Sequence, residues 1–399
     1  MRIVLVSQEF PPETAKGGIG TQTYMKAHGL AALGHEVVVL SRSIDNIVSK
    51  ITQGKVTVIR IPGMEDALPE MTLPVQWLSY SVKVAEALND IHSESPIDII
   101  DFPEWAAEGY VYLLNRTEWN KVPVVVQLHG PLIMLAETIG WPEKGSTFLN
   151  SGVHMEATSV QLADAVYSSS GCSAEWIRKY YDTTRNSIPV IHTGIDTQKF
   201  TMLAVEKNAR LTVVFVGKAV KNKGVEELLR AVIHLRREIP EIQLRLIGGG
   251  ERPVLDKLQE IVAESNADDV LEIAGYIHKQ DLAEELSKAH VFAAPSYYEG
   301  GPGFVYLEAM ACGLPVVACS GSGINEIVEH GHNGFLVPPR EVEPLAEALS
   351  LLLKDAGLRE QMGNNAHVYA MANADSEVCI RRLEAFYQSV LEKQRESVI

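Results

Sequence analysis

The sequence predicts an α/β protein that contains two doubly wound parallel-sheet domains. The length of 399 residues and the 46% share of hydrophobic residues suit a globular protein of two or three domains, each with its own core. Short β-branched runs alternate with helical patterns along almost the whole chain, and this alternation is typical of βαβ units. The same rhythm starts again halfway along the chain. We therefore expect two Rossmann-like domains in tandem, which usually face each other across a cleft.

Each predicted strand is a short run rich in β-branched residues. In the first half of the chain, these runs cover residues 2–7, 36–41, 55–61, 97–102, 123–129, 165–169 and 188–192. In the second half, they cover residues 211–217, 242–248, 270–275, 290–296, 314–320 and 334–339.

A polar interruption between the two series of strands gives the domain boundaries. Residues 196–209 are polar and lack apolar periodicity, so we interpret them as the interdomain connection. They separate an N-terminal domain of residues 1–195 from a C-terminal domain of residues 210–372. The patterns near the C-terminus are helical, and we expect residues 373–399 to form a C-terminal helix.

The composition argues against several classes of partner. The formal net charge is −16 and both halves are acidic, so long-range repulsion opposes nucleic acid or an anionic membrane surface as the main partner. The four cysteines form no C-x-x-C pair, and we expect reduced thiols in a cytoplasmic protein. No apolar run approaches the length of a transmembrane segment, and the N-terminal run is too short for a signal peptide.

A glycine-rich segment follows the first strand. Ligands of doubly wound folds bind beyond the carboxyl ends of the strands, and glycines there let backbone N–H groups approach an anion. In "FPPETAKGGIG" the candidates are Gly17, Gly18 and Gly20. The segment lacks the dinucleotide-binding pattern G-x-G-x-x-G, and a flexible connection explains it about as well.

Two lysines follow the first strand of the second half. In "VGKAVKNKG", Lys218 lies at the strand end and Lys223 follows five residues later. Two ammonium groups could hold a diphosphate, although lysines near a helix start are more often simply solvated. Cations at a helix N-terminus are unfavourable unless an anion joins them, which favours the functional interpretation. The chain contains no D-x-D metal motif, and we expect no metal site.

The stretch "YYEGGPGFVYLEAM" places two acids around a glycine loop and the start of a helix. The free amides of Gly303, Phe304 and Val305 would present the positive end of the helix dipole to a diphosphate. Glu299 could accept hydrogen bonds from sugar hydroxyls, and Glu308 could bind the hydroxyls of a ribose. A helix cap with a surface glutamate would explain the proline between them but not two glycines and two acids.

A further acidic and aromatic pair follows a first-half strand. "DFPEWAAEGY" places Glu104 and Trp105 beyond a first-half strand, where a ligand of such a fold could lie, and Trp105 could stack on a sugar ring. A tryptophan is more often simply packed in the core.

The chain resembles the retaining glycosyltransferases of the GT-B architecture, specifically their large family four, also called glycosyl transferases group one. The resemblance covers nearly the full chain. It is carried by "FPPETAKGGIG", "VGKAVKNKG", "EIAGYIHKQDLAEELSKAHVFAAPSYYEG", "LEAMACGLPVVA" and "EIVEHGHNGFLVPP".

The resemblance implies roles for individual residues. It places Lys223 at the donor diphosphate beside the strand-end residue, which is usually arginine in the family and is Lys218 here. It also places His129 at the donor sugar and Tyr276 near the base.

Two further positions follow from the same resemblance. Gly17 and Gly18 match a loop near the donor phosphate and the acceptor, and the final helix is expected to cross back to the first domain. Seven residues separate the two glutamates of the family, whereas eight separate Glu299 from Glu308, so this loop is one residue longer.

Together these observations predict a metal-independent retaining glycosyltransferase with no cofactor. Its donor would be a nucleotide diphosphate-sugar, with a UDP-sugar expected, bound mainly to the second domain, and its hydroxyl acceptor would bind to the first. Two alternatives stay open, namely a sugar-nucleotide epimerase or phosphorylase on the same architecture, and a non-catalytic sugar-nucleotide-binding regulator.

Overall fold

The chain divides into two units, each built on one sheet. The computed structural model describes residues 1–14, 18–63, 73–117, 121–181, 183, 185, 187–192 and 194–397. Unit 1 comprises Met1–Thr193 together with Ser376–Ile399, and unit 2 comprises Gly194–Asp375. The final segment of the chain therefore belongs to the first unit.

Unit 1 contains a seven-stranded sheet with the order β3-β4-β2-β1-β5-β6-β7. Its strands are β1 (Arg2–Val6), β2 (Glu36–Ser43), β3 (Ser49–Gln53), β4 (Val56–Pro62), β5 (Ile99–Pro103), β6 (Val124–Leu128) and β7 (Ala165–Ser168). Its helices are α1 (Gly18–Ala32), α2 (Leu73–Glu94), α3 (Tyr110–Leu114), α4 (Leu132–Thr138), α5 (Thr147–Leu162) and α6 (Gly171–Tyr180), joined at the end of the chain by α13 (Ser376–Ser397). All neighbouring strands are parallel except β3, which pairs antiparallel with β4.

Unit 2 contains a six-stranded parallel sheet with the order β10-β9-β8-β11-β12-β13. Its strands are β8 (Thr212–Val216), β9 (Gln243–Ile247), β10 (Leu271–Gly275), β11 (Val291–Ala294), β12 (Val316–Cys319) and β13 (Gly334–Val337). Its helices are α7 (Val225–Leu235), α8 (Arg252–Glu264), α9 (Lys279–Lys288), α10 (Phe304–Ala311), α11 (Val342–Lys354) and α12 (Ala356–Asn373). The strands in the middle of this sheet are buried on both faces, which explains their continuous apolar sequences.

The predicted fold class is confirmed, with two corrections to the strands. The run at 188–192 is not a strand, because only a single bridge joins Val190 to Ser168. The antiparallel edge strand β3 was not predicted. Its sequence, "SKITQ", is mostly exposed and carries no apolar pattern.

Each sheet has one point at which the strand order reverses. In unit 1, the chain builds outward from β1 in one direction and from β5 in the other, so this switch point lies between β1 and β5. In unit 2, it lies between β8 and β11. Ligands of open parallel sheets bind at the carboxyl ends of the strands at such points. The loops after these four strands are therefore where a site is expected.

A buried polar network joins three layers of unit 1. The ammonium group of Lys26 on α1 donates hydrogen bonds to Asp101 Oδ2 (2.9 Å) and Gln127 Oε1 (2.7 Å) on the neighbouring strands β5 and β6. Tyr167 donates its hydroxyl to Asp101 Oδ2 at 2.7 Å, and Tyr387 of α13 donates to the same oxygen. All five side chains are buried. The network thus ties the last helix to the centre of the first sheet.

Packing and a second polar contact fix α13 along α1. A Cβ on Gly29 would lie 2.7 Å from the Ile380 side chain, so glycine is needed for this close approach. His35 Nε2 lies 2.7 Å from Glu384 Oε1. Among the described helices, none combines the length and the apolar character that a membrane crossing requires.

The first prediction concerns the charge in the buried network. Lys26→Met removes the cation and leaves the buried Asp101 carboxylate uncompensated, which should lower the free energy of unfolding by roughly 3–5 kcal/mol. All five tryptophans lie between residues 77 and 176, so tryptophan fluorescence in a urea titration reports on unit 1. The control is Lys50→Met, which removes the exposed pair of Lys50 with Glu94 and should cost less than about 1 kcal/mol. Equal losses in the two variants would contradict the prediction.

Candidate functional site

Backbone hydrogen bonds join the loop after β8 to the loop after β9. The N–H of Ala219 donates to the Gly249 carbonyl (2.7 Å), and the N–H of Glu251 donates back to the Ala219 carbonyl (3.0 Å). Gly248 has a φ of 129°, and a Cβ there would collide with the Gly217 carbonyl. This bracing holds the start of the Lys218–Lys223 segment at the carboxyl edge of the sheet.

The backbone at Gly224 allows the Lys223 turn to lie directly against the end of β11. Residues Lys221–Lys223 form a short 3-10 turn, and Gly224 follows in the left-handed conformation with a φ of 65°. A Cβ at Gly224 would overlap the Pro295 carbonyl, so no other residue fits without displacing the turn. The glycine thereby brings the loops after β8 and β11 together at the switch point.

Lys223 and Glu299 form an ion pair across this switch point. The Lys223 side chain is 31% exposed and that of Glu299 is 17% exposed, so a small ligand could still reach the lysine. The Glu299 carbonyl accepts from the N–H of Gly323, and a Cβ at Gly323 would collide with the backbone of Gly301. The longer glycine loop is thus packed against the segment after β12.

Tyr297 links the two loops and was not singled out from the sequence. Its N–H donates to the Asn222 carbonyl at 2.8 Å, and its hydroxyl donates to Glu227 Oε1 on α7 at 2.7 Å. The Arg340 guanidinium lies 4.6 Å from the centre of its ring. Burial, and then the nearby Glu227, raise the pKa of Tyr297. Tyr297 therefore positions the turn that presents Lys223.

Helix α10 begins beside the same loop. Gly303 caps it, and the N–H groups of Gly303, Phe304 and Val305 find no acceptor in the part of the chain that the structure describes. Such amides carry the positive end of the helix dipole and suit an anion.

Glu308 on α10 is buried and lies 3.3 Å from Lys279 Nζ. Burial raises the pKa of Glu308, and the Lys279 ammonium opposes that shift. The sequence analysis did not find Lys279, which lies on the next helix upstream and carries no motif signal.

The other residues predicted to bind the sugar donor are more exposed to solvent. The side chain of Lys218 is 66% exposed and reaches Glu251 only at 3.5 Å, and Tyr276 is 76% exposed. Gly18 is exposed and is the first residue of α1. Gly17 lies outside the described residues.

In unit 1, the predicted residues Glu104 and His129 meet through the backbone. Glu104 Oε1 accepts hydrogen bonds from the N–H groups of His129 (2.6 Å) and Gly130. Burial raises the pKa of Glu104 to about 7, and the backbone hydrogen bonds oppose that shift. Burial, together with the positive charge of Lys26, lowers the pKa of His129 to about 3. His129 is therefore a neutral hydrogen-bonding group.

Two further buried acids, Glu156 and Glu108, lie in the same region and were missed by the sequence analysis. Glu156 Oε2 accepts from the N–H of Leu132 at 2.9 Å, and Glu108 Oε1 accepts from the N–H of Gln8 at 3.1 Å. In each carboxyl group, and in that of Glu104, the other oxygen has no hydrogen-bond partner among the described residues. Burial raises the pKa of Glu108 to about 8. No local motif indicates these acids, because their partners are distant in the sequence: backbone amides and, for Glu156, also the Tyr181 hydroxyl.

Trp105 belongs to a group of rings that we call the aromatic cluster, formed by Trp77, Trp105, Trp141 and Phe148. The rings of Trp105 and Trp141 stack with their centres 6.2 Å apart, and Trp141 is 45% exposed. The cluster combines one buried ring, Trp77, and two half-buried rings with the exposed ring of Trp141.

Chemically, the two units offer different groups. The switch point of unit 2 presents a cation and open amides, which suit an anion, with carboxylates beside them for hydroxyls. Unit 1 presents a neutral imidazole, buried carboxyl groups and an aromatic surface. Across the described ranges, no group of three or more His, Cys, Asp or Glu residues has an arrangement that could hold a metal ion.

Two family models match the chain, one in each half. "Glycosyl transferase 4-like domain" matches residues 17–194 and "Glycosyl transferases group 1" matches residues 201–368. A glycogen synthase of Mycobacterium tuberculosis is 27% identical over 92% of this chain and 89% of that protein. A D-inositol 3-phosphate glycosyltransferase of Kribbella flavida is 28% identical over 89% of this chain and 86% of that protein.

Solved structures share the fold over almost the full length. A sucrose-phosphate synthase from Thermosynechococcus elongatus superposes with a TM-score of 0.83 at 24% identity, covering 98% of this chain and 99% of that one. The Anabaena protein Alr3699/HepE, in complex with UDP-glucose, superposes with a TM-score of 0.75 at 19% identity, covering 98% and 100%.

The second prediction follows from the raised pKa of Glu108. The folded state holds this proton up to about pH 8, whereas the unfolded chain releases it near 4.5. The unfolded state therefore binds fewer protons in this window, and the stability of unit 1 falls as the pH rises from 4.5 to 8. Glu108→Gln removes this titration and should raise the free energy of unfolding at pH 8 by roughly 1–3 kcal/mol.

Urea titrations followed by tryptophan fluorescence between pH 5 and pH 8 measure this effect. The matched control is Glu86→Gln on the exposed face of α2, which should follow the natural protein at every pH. If Glu108→Gln also runs parallel to the natural protein, Glu108 is ionised in the folded state and the prediction is wrong.

Proposed function

Because this chain belongs to the glycosyl transferases group 1 family of GT-B glycosyltransferases, we propose that it transfers a sugar from a UDP-sugar to a hydroxyl acceptor, with retention of anomeric configuration and without a metal ion. The observation that carries the proposal is the pairing of the Lys223 turn with the open amides of α10, two anion-binding elements beside the switch point of unit 2. A diphosphate is the anion that fits a cation and several N–H donors together. The UDP-glucose bound to the Anabaena structure of the same fold supports UDP as the nucleotide.

In the proposed reaction, the bond between the anomeric carbon and the β-phosphate oxygen breaks. The acceptor oxygen forms its bond to the same face of that carbon, and its proton passes to the departing diphosphate. Lys223 and the amides of Gly303, Phe304 and Val305 stabilise the charge that develops on the leaving group, usually the largest contribution to catalysis. Neutral His129 is assigned a hydrogen bond to the donor sugar, and Glu308 is assigned the ribose hydroxyls.

In the ion pair with Lys223, the Glu299 carboxylate competes with the donor diphosphate for the lysine. The Glu299 carboxylate is paired with the Lys223 ammonium, which the diphosphate needs. When the donor binds, its diphosphate replaces Glu299 as the partner of Lys223. The freed carboxylate then becomes available to the hydroxyls of the donor sugar. This exchange couples diphosphate binding to sugar contact within one loop.

The third prediction tests the reaction itself. The protein is incubated with UDP-glucose, UDP-galactose or UDP-N-acetylglucosamine, with and without a mixture of sugars and alcohols, in the presence and absence of EDTA. We expect acceptor-dependent release of UDP that EDTA leaves largely unchanged, and proton NMR of the first product should show the donor's anomeric configuration.

The alternatives give different results in the same experiment. An epimerase changes the sugar without releasing UDP, a phosphorylase requires inorganic phosphate, and a regulator binds the donor without turnover. An inverted product would rule out retention, and full loss of activity in EDTA restored by magnesium would rule out metal independence.

The fourth prediction separates the two members of the ion pair. Lys223→Ala should lower turnover by about two orders of magnitude or more, because an oxyanion stabiliser is lost. Glu299→Gln should bind UDP several-fold more tightly, because the competing anion is removed, while sugar transfer slows. Isothermal titration with UDP and initial rates of UDP release measure the two effects.

The exposed pair of Lys218 with Glu251 supplies the control. Glu251→Gln removes a carboxylate that lies 3.5 Å from a lysine at the same edge of the sheet and should change UDP affinity less than about twofold. Weaker binding of UDP by Glu299→Gln would show that Glu299 assists, and does not compete with, the diphosphate.

A further inference from the structure

Two buried carboxyl groups accept all the backbone N–H groups at the start of the loop after β6. Glu104 Oε1 accepts from His129 and Gly130, and Glu156 Oε2 accepts from Leu132 at 2.9 Å. The one remaining residue of this stretch is a proline, which has no N–H to donate. We call residues 129–132 the His129 loop. Its backbone is thus held by two side chains that are distant in the sequence.

The two glutamates reach the His129 loop from different elements. Glu104 directly follows the apolar part of β5, and its own N–H continues the sheet by donating to the Gln127 carbonyl at 2.9 Å. Glu156 lies on α5, and the hydroxyl of Tyr181, at the end of α6, donates to the same Oε2. Both glutamates are completely buried. The loop is therefore fixed from two directions, once by the sheet and once by a helix.

Packing adds a third contact between α5 and the His129 loop. The Leu132 side chain is completely buried and lies against Gly152, one turn before Glu156 on α5. A Cβ at residue 152 would lie 2.5 Å from Leu132 Cδ2, so the leucine would have to move. The same helix thus receives the side chain of Leu132 and binds its N–H.

His129 is the residue of this loop to which the proposed function gives a role. Burial, together with the charge of Lys26, lowers the pKa of His129 to about 3, so the imidazole acts through the direction of a hydrogen bond. Hydrogen bonds weaken steeply when their groups are misaligned. A displacement of about 1 Å in a catalytic group can lower a rate by roughly 100-fold. Turnover should therefore depend on the groups that hold the backbone of His129.

We propose that Glu104 and Glu156 are positioning residues of the sugar transfer, which hold the His129 loop in the geometry from which the imidazole reaches the donor sugar. The inference rests on the proposed function, which assigns His129 to that sugar. Neither glutamate needs to contact a substrate. Each acts as a hydrogen-bond acceptor for the loop.

The protonation of Glu156 provides a conservative variant. Burial, and next the charge of Glu104, raise the pKa of Glu156 well above its usual range, which favours the uncharged acid. Glutamine is also uncharged, has the same shape and keeps an acceptor oxygen for Leu132 and Tyr181. Leucine has a similar size and removes the acceptor. Glu156→Gln and Glu156→Leu therefore separate the hydrogen bonds from the volume of the side chain.

Steady-state kinetics test the positioning role. UDP release is measured with UDP-glucose, UDP-galactose or UDP-N-acetylglucosamine, whichever is turned over, and a mixture of sugars and alcohols. Glu156→Leu should lower kcat at least tenfold while Kd for UDP, from isothermal titration, changes less than twofold. Glu156→Gln should keep kcat within about twofold of the natural protein. A normal kcat in Glu156→Leu, or an equal loss in Glu156→Gln, overturns the proposal.

Val160→Ala is the matched control for a loss of stability. Val160 is completely buried one turn after Glu156 on α5, so this variant leaves a cavity in the core and lowers the melting temperature. Its kcat should stay within about twofold of the natural value. If Val160→Ala loses as much kcat as Glu156→Leu, the effect is one of stability and the proposal is wrong.

A second variant displaces the loop with both carboxyl groups intact. Gly152→Ala places a Cβ against Leu132 and should lower kcat at least threefold, even if Glu156→Leu does not fold. A normal kcat in this variant would show that turnover tolerates a displaced loop, which contradicts the proposal.

The loss of turnover must also act through His129. In a His129→Ala background, Gly152→Ala or Glu156→Leu should change kcat less than about twofold, because the ring that they misplace is absent. Losses that multiply in the double variants would show that the loop acts through another group and would refute the positioning of His129.

Amide hydrogen exchange separates this inference from the proposed function. By NMR, the Leu132 N–H should exchange at least tenfold faster in Glu156→Leu than in Val160→Ala, because only the first variant removes its acceptor. This result supports the hold on the loop even if no UDP is released, and absence of UDP release alone then counts against the transferase proposal. Equal exchange in the two folded variants overturns the role of Glu156.

Discussion

The arrangement of both sites depends on one constraint, the parallel pairing of strands. Parallel strands place all their carboxyl ends at one edge, and the order of connections then leaves one gap where neighbouring loops diverge. In unit 2 this gap lies between β8 and β11, and in unit 1 between β1 and β5. Lys223 and Glu299 are far apart in sequence but follow the two strands that flank one gap. Gln8 and Glu108 have the same relation at the other.

The ion pairs of the two units differ in burial. In unit 1, the ammonium of Lys26 and the carboxylate of Asp101 are buried together. Glutamine and tyrosine side chains form hydrogen bonds with Lys26 and with Asp101 Oδ2, so this pair serves the fold. In unit 2, Lys223 and Glu299 stay partly exposed and are joined mainly to each other. An ion pair that solvent can reach costs little to break, because water screens both partners. Such a pair can be exchanged for a ligand, whereas the buried one cannot.

Sequence patterns predicted the elements better than the contacts between them. Most strands were predicted because burial on both faces requires continuous β-branched runs, whereas β3 was missed because an exposed edge strand needs none. The spacing of Lys223 from the strand end predicted a site at the loop after β8, and the structure places this lysine beside the switch point of unit 2. Its pairing with Glu299, the link through Tyr297 and the role of Glu108 depend on how distant loops meet, and no local pattern carries that information.

The docking of α13 has a consequence for how the protein is made. Tyr387 donates a hydrogen bond to Asp101 Oδ2 in the first sheet, yet it is translated only after the whole of unit 2. At about 5–20 residues per second, the ribosome needs roughly 10–40 s to cover that distance. During this time α13 has not been synthesised, so the apolar groove along α1 is uncovered. Ile380 of α13 later packs against Gly29 in this groove. A chain that terminates early keeps this groove open, so chaperones and proteases could recognise truncated products by a surface that the finished protein hides.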